Sequence, residues 1–167
     1  MTDYALLQEQ IRALAETDAH YIPMLSNVSA LLKESMDDVS WAGFYLFKDG
    51  RLVLGPFQGK PACIHIEYGE GVCGTAIAKK VTQRVPDVNA FPGHIACDPA
   101  SRSEIVVPML RRVRSVSHCE FPEQEGGINR IRFGVLDLDS PVPDRFTEED
   151  QAGLEAIVNL LETLLQY

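Results

Sequence analysis

The sequence predicts an α+β fold, a central mostly antiparallel sheet of about six strands with N- and C-terminal helices packed on it. Three observations predict this. Both ends of the chain carry apolar residues at helical spacing, the middle switches to strand-like alternation, and the strands there follow one another directly. The length of 167 residues favours one domain over residues 1–167.

The first helix starts at Tyr4 behind Asp3, an apt N-cap, with Tyr4, Leu7, Ile11 and Leu14 on its inner face. Pro23 suits the first turn of a second helix, whose stripe is Leu25, Val28, Leu31 and Leu32 and which Asp37-Asp38 ends. From Trp41 the period becomes two. Trp41, Gly43, Tyr45 and Phe47 fall on one face; Ala42, Phe44 and Leu46 fall on the other. Asp49-Gly50 predicts a hairpin turn, with Arg51 to Phe57 as the returning strand. Ala62 to Glu67 predicts another strand. Gly69, Gly71 and Gly74 mark a turn into a short helix over Val72 to Lys79, and Thr82 to Val85 an edge strand stopped by Pro86. Residues 86–103 are a long loop, a length usually tied to function or disorder. Ile105 to Leu110 and Phe133 to Leu138 are apolar enough for central strands. Thr147 then caps a C-terminal helix with an acidic first turn and a stripe of Leu154, Ile157, Val158, Leu161 and Leu165.

One segment stands apart. Arg111 to Phe133 is a basic excursion between two core strands, holding Arg111, Arg112, Arg114, Arg130, Arg132, Cys119 and Gly126-Gly127.

Composition bounds the function. The chain is 46% hydrophobic and 23% charged, with a formal charge of −9. Nucleic acid and anionic membrane both repel such a chain. No apolar run spans a bilayer, and the start at Met1-Thr2-Asp3-Tyr4-Ala5 lacks the marks of a signal peptide. A cytoplasmic, reducing location is the expectation. There, cysteines are more often free, redox-active or metal-bound than structural.

The four cysteines are Cys63, Cys73, Cys97 and Cys119. No pair has the short spacing of a zinc site or a thioredoxin-like motif, so no metal is expected. The plain reading is four unrelated thiols, some buried as small hydrophobes. Cys73 opens the glycine-rich helix, where free N–H groups would favour a thiolate. Cys97 lies in the long loop beside His94 and Asp98. Asp137 and Asp139 sit two apart at the end of an apolar strand, hence on one face, where repulsion would raise one pKa. The plain alternative is a solvated strand end, with Asp139 capping the turn at Ser140-Pro141. Glu104 could equally be a loop-end charge in water. Trp41 and Tyr45 share a face, as core or as a ligand-pocket wall. Gly69 to Gly74 is a weak nucleotide signal, lacking both the Walker lysine and the GxGxxG spacing.

Together these residues resemble the free methionine-(R)-sulfoxide reductase family, a catalytic branch of the GAF-domain fold. The matching stretches are Trp-Ala-Gly-Phe-Tyr at 41–45, Gly-Pro-Phe-Gln-Gly-Lys-Pro-Ala-Cys at 55–63, Gly-Val-Cys-Gly-Thr-Ala at 71–76, Phe-Pro-Gly-His-Ile-Ala-Cys-Asp at 91–98, Ser-Glu-Ile-Val-Val-Pro at 103–108 and Gly-Val-Leu-Asp-Leu-Asp-Ser-Pro at 134–141. The resemblance implies a thiol mechanism. Cys97 matches the catalytic cysteine, and Cys63 and Cys73 match partners that can close a disulfide. Glu104, Asp137 and Asp139 match substrate-contacting carboxylates, and Trp41 and Tyr45 match pocket aromatics. The basic excursion and Cys119 have no family counterpart, and an extended hairpin would keep the core strands in register.

The implied reaction converts free methionine (R)-sulfoxide to methionine through a sulfenic acid at Cys97 and an intramolecular disulfide. An external dithiol such as thioredoxin restores the thiols, and no metal or organic cofactor is required. A protonated carboxyl would help the sulfoxide oxygen leave, and the other carboxylates would pair with the substrate ammonium. Main-chain N–H groups near Gly71 are the expected receptor of the substrate carboxylate. GAF folds commonly dimerise through terminal helices, so a homodimer is a further expectation. The competing function is a non-catalytic GAF module that binds a small ligand, but Tyr167 ends the chain with no output domain after it.

Overall fold

In a computed structural model of the chain, which describes residues 2–95, 97–113, 123–125 and 128–167, the alternation beginning at Trp41 opens the sheet. β1 (Trp41–Lys48) turns through Asp49-Gly50 into β2 (Arg51–Gln58). Both turn residues have positive φ, 52° and 79°, as a type I′ hairpin requires. β3 (His65–Glu67), β4 (Gln83–Val85), β5 (Ser103–Val113), β6 (Glu123–Glu125) and β7 (Ile128–Ser140) follow. The order is β3-β2-β1-β7-β5-β4, with β6 on β7. Every pairing is antiparallel. The two end strands are three residues long, which keeps the unpaired edges short.

The helices start where capping chemistry allows. α1 (Tyr4–Thr17) is capped by Asp3, whose side chain accepts from the Leu6 N–H. α2 (Tyr21–Ser35) is capped by His20. α3 (Gly71–Lys79) follows the glycine-rich turn. α4 (Glu148–Leu164) opens on a full capping box between Thr147 and Asp150. Asp150 also accepts from the Tyr4 hydroxyl at 2.6 Å and from Arg145 at 3.1 Å, tying α1 to the start of α4. Among the described residues no helix is long and apolar enough to cross a membrane.

The sheet is buried on both faces, and the alternation of β1 decides which residues go where. Ala42 and Phe44 join Ile105, Val107, Leu136 and Leu138 under α1, α2 and α4. Trp41 and Tyr45 join Val106 and Val135 on the opposite face, against Val72, Cys73, Ala76 and Ile77 of α3. The main apolar core thus lies on one side. The other side is thinner and is completed by α3 and by loops.

Two expectations are corrected. The strand expected from Ala62 begins only at His65, because residues 60–63 are drawn across the sheet by contacts to Trp41 and Tyr45. The long loop holds a 3-10 turn, Val88–Ala90, and passes into strand at Ser103.

The base of the basic excursion extends the β5–β7 ladder, which runs from Ser103↔Ser140 to Val113↔Asn129. A register shift between Met109 and Leu110 absorbs one extra residue, Phe133, as a bulge on β7. The core strands therefore stay paired at the base of the excursion. Arg111 stacks over the Tyr167 ring at 4.0 Å, Arg130 pairs with Glu162, and the Arg132 Nε–H donates to the Ile77 carbonyl at 3.1 Å. Cys119 and Gly126-Gly127 lie outside the described residues.

Gly134 sits where β7 crosses β1. A Cβ there would lie 2.1 Å from the Tyr45 carbonyl oxygen and 3.1 Å from Leu46 Cα. Both are backbone atoms of the central strand and cannot yield cheaply. Gly134→Ala is expected to cost about 2 kcal/mol, within the range for overpacking. Thermal denaturation should show a midpoint about 4–8 °C lower.

Candidate active site

Strand register brings the carboxyls together. On β7, Asp139 lies opposite Trp41 of β1 and Asp137 opposite Gly43. On the other side Asp139 faces Glu104 of β5, and Asp137 faces Val106. Directly paired residues share a face. Trp41, Tyr45, Glu104, Asp137 and Asp139 thus line one cavity on the α3 side of the sheet. α3 meets it end-on, contributing Gly71, Val72 and Cys73.

Two loops close the mouth. After β2, Gly59 adopts φ 137°, and a Cβ there would lie 2.6 Å from the Trp41 ring. The chain can therefore cross close over the indole. The Trp41 Nε1–H donates to the Lys60 carbonyl at 3.1 Å, and the Tyr45 hydroxyl donates to the Cys63 carbonyl at 3.0 Å. Trp41 also stacks against Phe57, with ring centroids 5.3 Å apart. The second loop brings His94, Cys97 and Asp98. A disulfide joins Cys63 to Cys97. Beside it the Lys60 ammonium meets the Asp98 carboxylate at 3.3 Å. With both links closed the cavity is narrow, with about 40 Å³ of free volume, room for a few waters at most.

The cavity is acidic and dry at its base. Glu104 and Asp137 are only 6% and 5% exposed, so neither is a solvated strand end. Burial pushes both carboxyls well above their ordinary range. Neighbouring negative charge adds to the rise, from Asp137 on Glu104 and from Asp139 on Asp137. Asp139 is partly buried and is raised from 3.8 to about 6, chiefly by burial, with the Asp98 charge adding. Asp139 does not cap the following turn; Ser140 does, its hydroxyl accepting from the Val142 N–H at 3.0 Å.

Cys73 behaves against expectation. It is buried, and its Sγ lies 3.9 Å from Glu104 Oε1. Burial and then the charges of Asp137 and Glu104 push the thiol well above its ordinary range. Burial and these charges outweigh the pull of the α3 N-terminus, so Cys73 is a protonated thiol at neutral pH. Cys73, Glu104 and Asp137 each offer a donor atom within 4.8 Å of the others. Spacing along the chain does not reveal this trio, because its members come from a helix and two strands. A metal there would have to displace protons that all three groups hold tightly.

The Lys60–Asp98 pair was not singled out from sequence, although each member adjoins a cysteine motif. His94 Nδ1 and Asp137 Oδ1 are buried with no hydrogen-bond partner among the described residues. Burial lowers the His94 pKa, so the imidazole is neutral at pH 7.

Comparison with known proteins agrees with this geometry. The GAF domain family model matches residues 5–165. Free methionine-R-sulfoxide reductase of Escherichia coli (strain K12) is 48% identical over 162 residues, covering 97% of this chain and 88% of that protein. Protein YtsP of Bacillus subtilis (strain 168) is 50% identical over 165 residues, covering 98% and 91%. The structure of the Staphylococcus aureus fRMsr in complex with substrate superposes with a TM-score of 0.81 at 46% identity, covering 99% of this chain and 97% of that one. With a GAF fold along its length and this degree of identity, the chain belongs to the free methionine-(R)-sulfoxide reductase family of GAF-domain proteins.

Proposed function

We propose that the chain is a single GAF domain that reduces free L-methionine (R)-S-oxide to L-methionine with its own cysteines. The observation that carries this is the Cys63–Cys97 disulfide at the mouth of an acidic cavity, in a chain nearly half identical to a reductase of that name.

Cys97 attacks the sulfoxide sulfur as a thiolate, the oxygen takes up a proton, and that oxygen passes to the Cys97 sulfur as its bond to the substrate sulfur and the transient sulfur–sulfur bond break. Methionine leaves and Cys97 carries the oxygen as a sulfenic acid. The Cys63 thiol then attacks the Cys97 sulfur, forming the disulfide and releasing water. The existing bridge favours Cys63 over Cys73 as the resolving thiol, since Cys73 is buried and protonated. A thioredoxin-like dithiol reduces the bridge, consistent with a cytoplasmic setting.

The carboxyls divide the work by their protonation. Glu104 and Asp137 hold protons at neutral pH and can donate one to the departing oxygen. Asp139, near 6, is mostly ionised at pH 7 and pairs with the substrate ammonium. Trp41 and Tyr45 wall the S-methyl end. The narrow, bridged cavity corresponds to the oxidised enzyme after turnover, and reduction frees the two loops to part. Leu6 and Ile22 are exposed on α1 and α2, which fits pairing with a second copy through the terminal helices.

Cys97→Ser is expected to abolish methionine release even in a single turnover without reductant. Cys63→Ser should release methionine once and then recycle poorly with thioredoxin. Normal first-turnover release by the Cys97 variant would contradict the assignment, as would a substrate-induced disulfide that peptide mapping places elsewhere.

Glu104→Gln keeps the shape of the side chain and removes the acid. Its kcat should fall by about 10²–10⁴, the usual contribution of a general acid. Wild-type kcat would remove Glu104 from the chemistry.

Asp139→Asn separates the electrostatics from the fold. A carboxyl whose folded pKa is raised stabilises the fold fully below its unfolded value and loses that contribution as pH rises through the folded value. For Asp139 that window runs from 3.8 to about 6 and corresponds to about 3 kcal/mol. The variant should therefore gain stability relative to wild type between pH 4 and pH 7. Urea denaturation at the two pH values measures the difference, and an equal offset at both would show that Asp139 pays no burial cost.

A further inference from the structure

Charge around the cavity is lopsided. Four carboxyl side chains line it: Asp98, Glu104, Asp137 and Asp139. Among the described lining residues, Lys60 is the one Lys or Arg. His94 adds no charge, since burial keeps it neutral. A free amino acid is a zwitterion, and its ammonium has several acidic partners in this cavity. Glu104 and Asp137 hold protons and carry no charge, but the ionised Asp98 and Asp139 would repel its carboxylate unless a cation stands near.

Lys60 meets that need from the mouth. Its side chain is 72% exposed. One of its three N–H donors reaches Asp98 Oδ2 at 3.3 Å, leaving two. Asp98 is held independently, its Oδ1 accepting from the Ala100 N–H at 2.9 Å. The backbone of Lys60 is fixed as well, through the Trp41 indole N–H. A flexible charged tip therefore rises from an anchored base beside the two cysteines. The buried carboxyls at the other end suit the sulfoxide, which needs a proton.

We propose that Lys60 is a specificity-determining residue that binds the α-carboxylate of the substrate and so selects the free amino acid over carboxyl-blocked forms. This rests on the reductase reading above and deepens it. It also adds a side-chain cation to the expectation that main-chain N–H groups near Gly71 receive the carboxylate. A residue inside a peptide lacks that carboxylate, so Lys60 would read the same feature that distinguishes free from bound methionine sulfoxide.

The test compares two substrates, free methionine (R)-sulfoxide and its α-carboxamide, in the full-length protein with a small-molecule dithiol as reductant. In Lys60→Met, KM for the free amino acid should rise about tenfold, the loss expected for one charge-assisted hydrogen bond. Its kcat should stay within about twofold, because the reacting end is untouched. KM for the carboxamide should not change, so discrimination between the two substrates should collapse. Lys60→Arg keeps the charge and should restore most of the preference. Asp98→Asn breaks the same ion pair and keeps the cation, so it should not reproduce the Lys60→Met effect. If Lys60→Met and Asp98→Asn raise KM equally for both substrates, Lys60 merely holds the loops together and the proposal fails. An unchanged preference in Lys60→Met overturns it also, and points back to the α3 N-terminus. If the wild-type protein does not turn over free methionine sulfoxide at all, the reductase reading fails and takes this inference with it.

Discussion

Three carboxyls on one dry face of a sheet cannot all be ionised, and the organisation of this molecule follows from that constraint. Glu104 and Asp137 are nearly removed from water, and each stands within the field of another acid. Charging one raises the cost of charging the next. The face therefore keeps protons at a pH where exposed acids have lost them. Such a reservoir is of little use to a structural core, where apolar residues of similar size would pack at lower cost. It is of direct use where an oxygen must leave as water. The buried thiol of Cys73 belongs to the same system, since the charges that raise the acids also keep it protonated. That leaves Cys63 and Cys97, joined at the mouth, as the pair on which the proposed reaction rests.

The constraint is met by backbone geometry more than by side-chain packing. Asp137 and Asp139 face the same way because they are two apart on β7, and Glu104 joins them because β5 pairs with β7 in register. A slip of one residue would send all three into the apolar layer under α1, α2 and α4. Two irregularities protect the register. The bulge at Phe133 absorbs one extra residue between the basic excursion and Asp137. On the other flank, the shift between Gly43 and Tyr45 accommodates Gly55 and Pro56 of β2, where a proline would otherwise break the ladder. Downstream of that shift the chain crosses the indole at Gly59 and delivers Lys60 and Cys63 to the mouth.

Much of this was legible in the sequence because it is local. The period of two from Trp41, the Asp49-Gly50 turn and the Thr147 cap each follow from residues a few positions apart. So does the division of β1 into Trp41 and Tyr45 on one face and Ala42 and Phe44 on the other. What was not legible depends on distant partners. Helix N-terminal position suggested a thiolate at Cys73, but burial beside acids on two other strands has the opposite sign and is stronger. The expected strand at Ala62 ignored the hydroxyl of Tyr45, which captures the Cys63 carbonyl. The Lys60–Asp98 pair bridges residues 38 positions apart, beyond the reach of any local pattern. The resemblance to a known family grouped the five pocket residues and three cysteines, yet it carried no information about their protonation.

Access and oxidation state are coupled by the same two loops. The disulfide and the Lys60–Asp98 pair both join the 59–63 segment to the 94–98 segment, one by a covalent bond and one by charge. An exposed ion pair contributes little on its own, so it cannot hold the loops once the disulfide is reduced. The bridged cavity is narrow, with about 40 Å³ of free volume. In the proposed reaction, reduction would do more than regenerate a nucleophile; it would also remove the covalent link between the two loops. A substrate that enters then competes with Asp98 for the Lys60 ammonium, replacing an intramolecular carboxylate by its own. In that scheme, access to the cavity would depend on the redox state of the cysteines, while the register of β1, β5 and β7 fixes where Glu104, Asp137 and Asp139 stand.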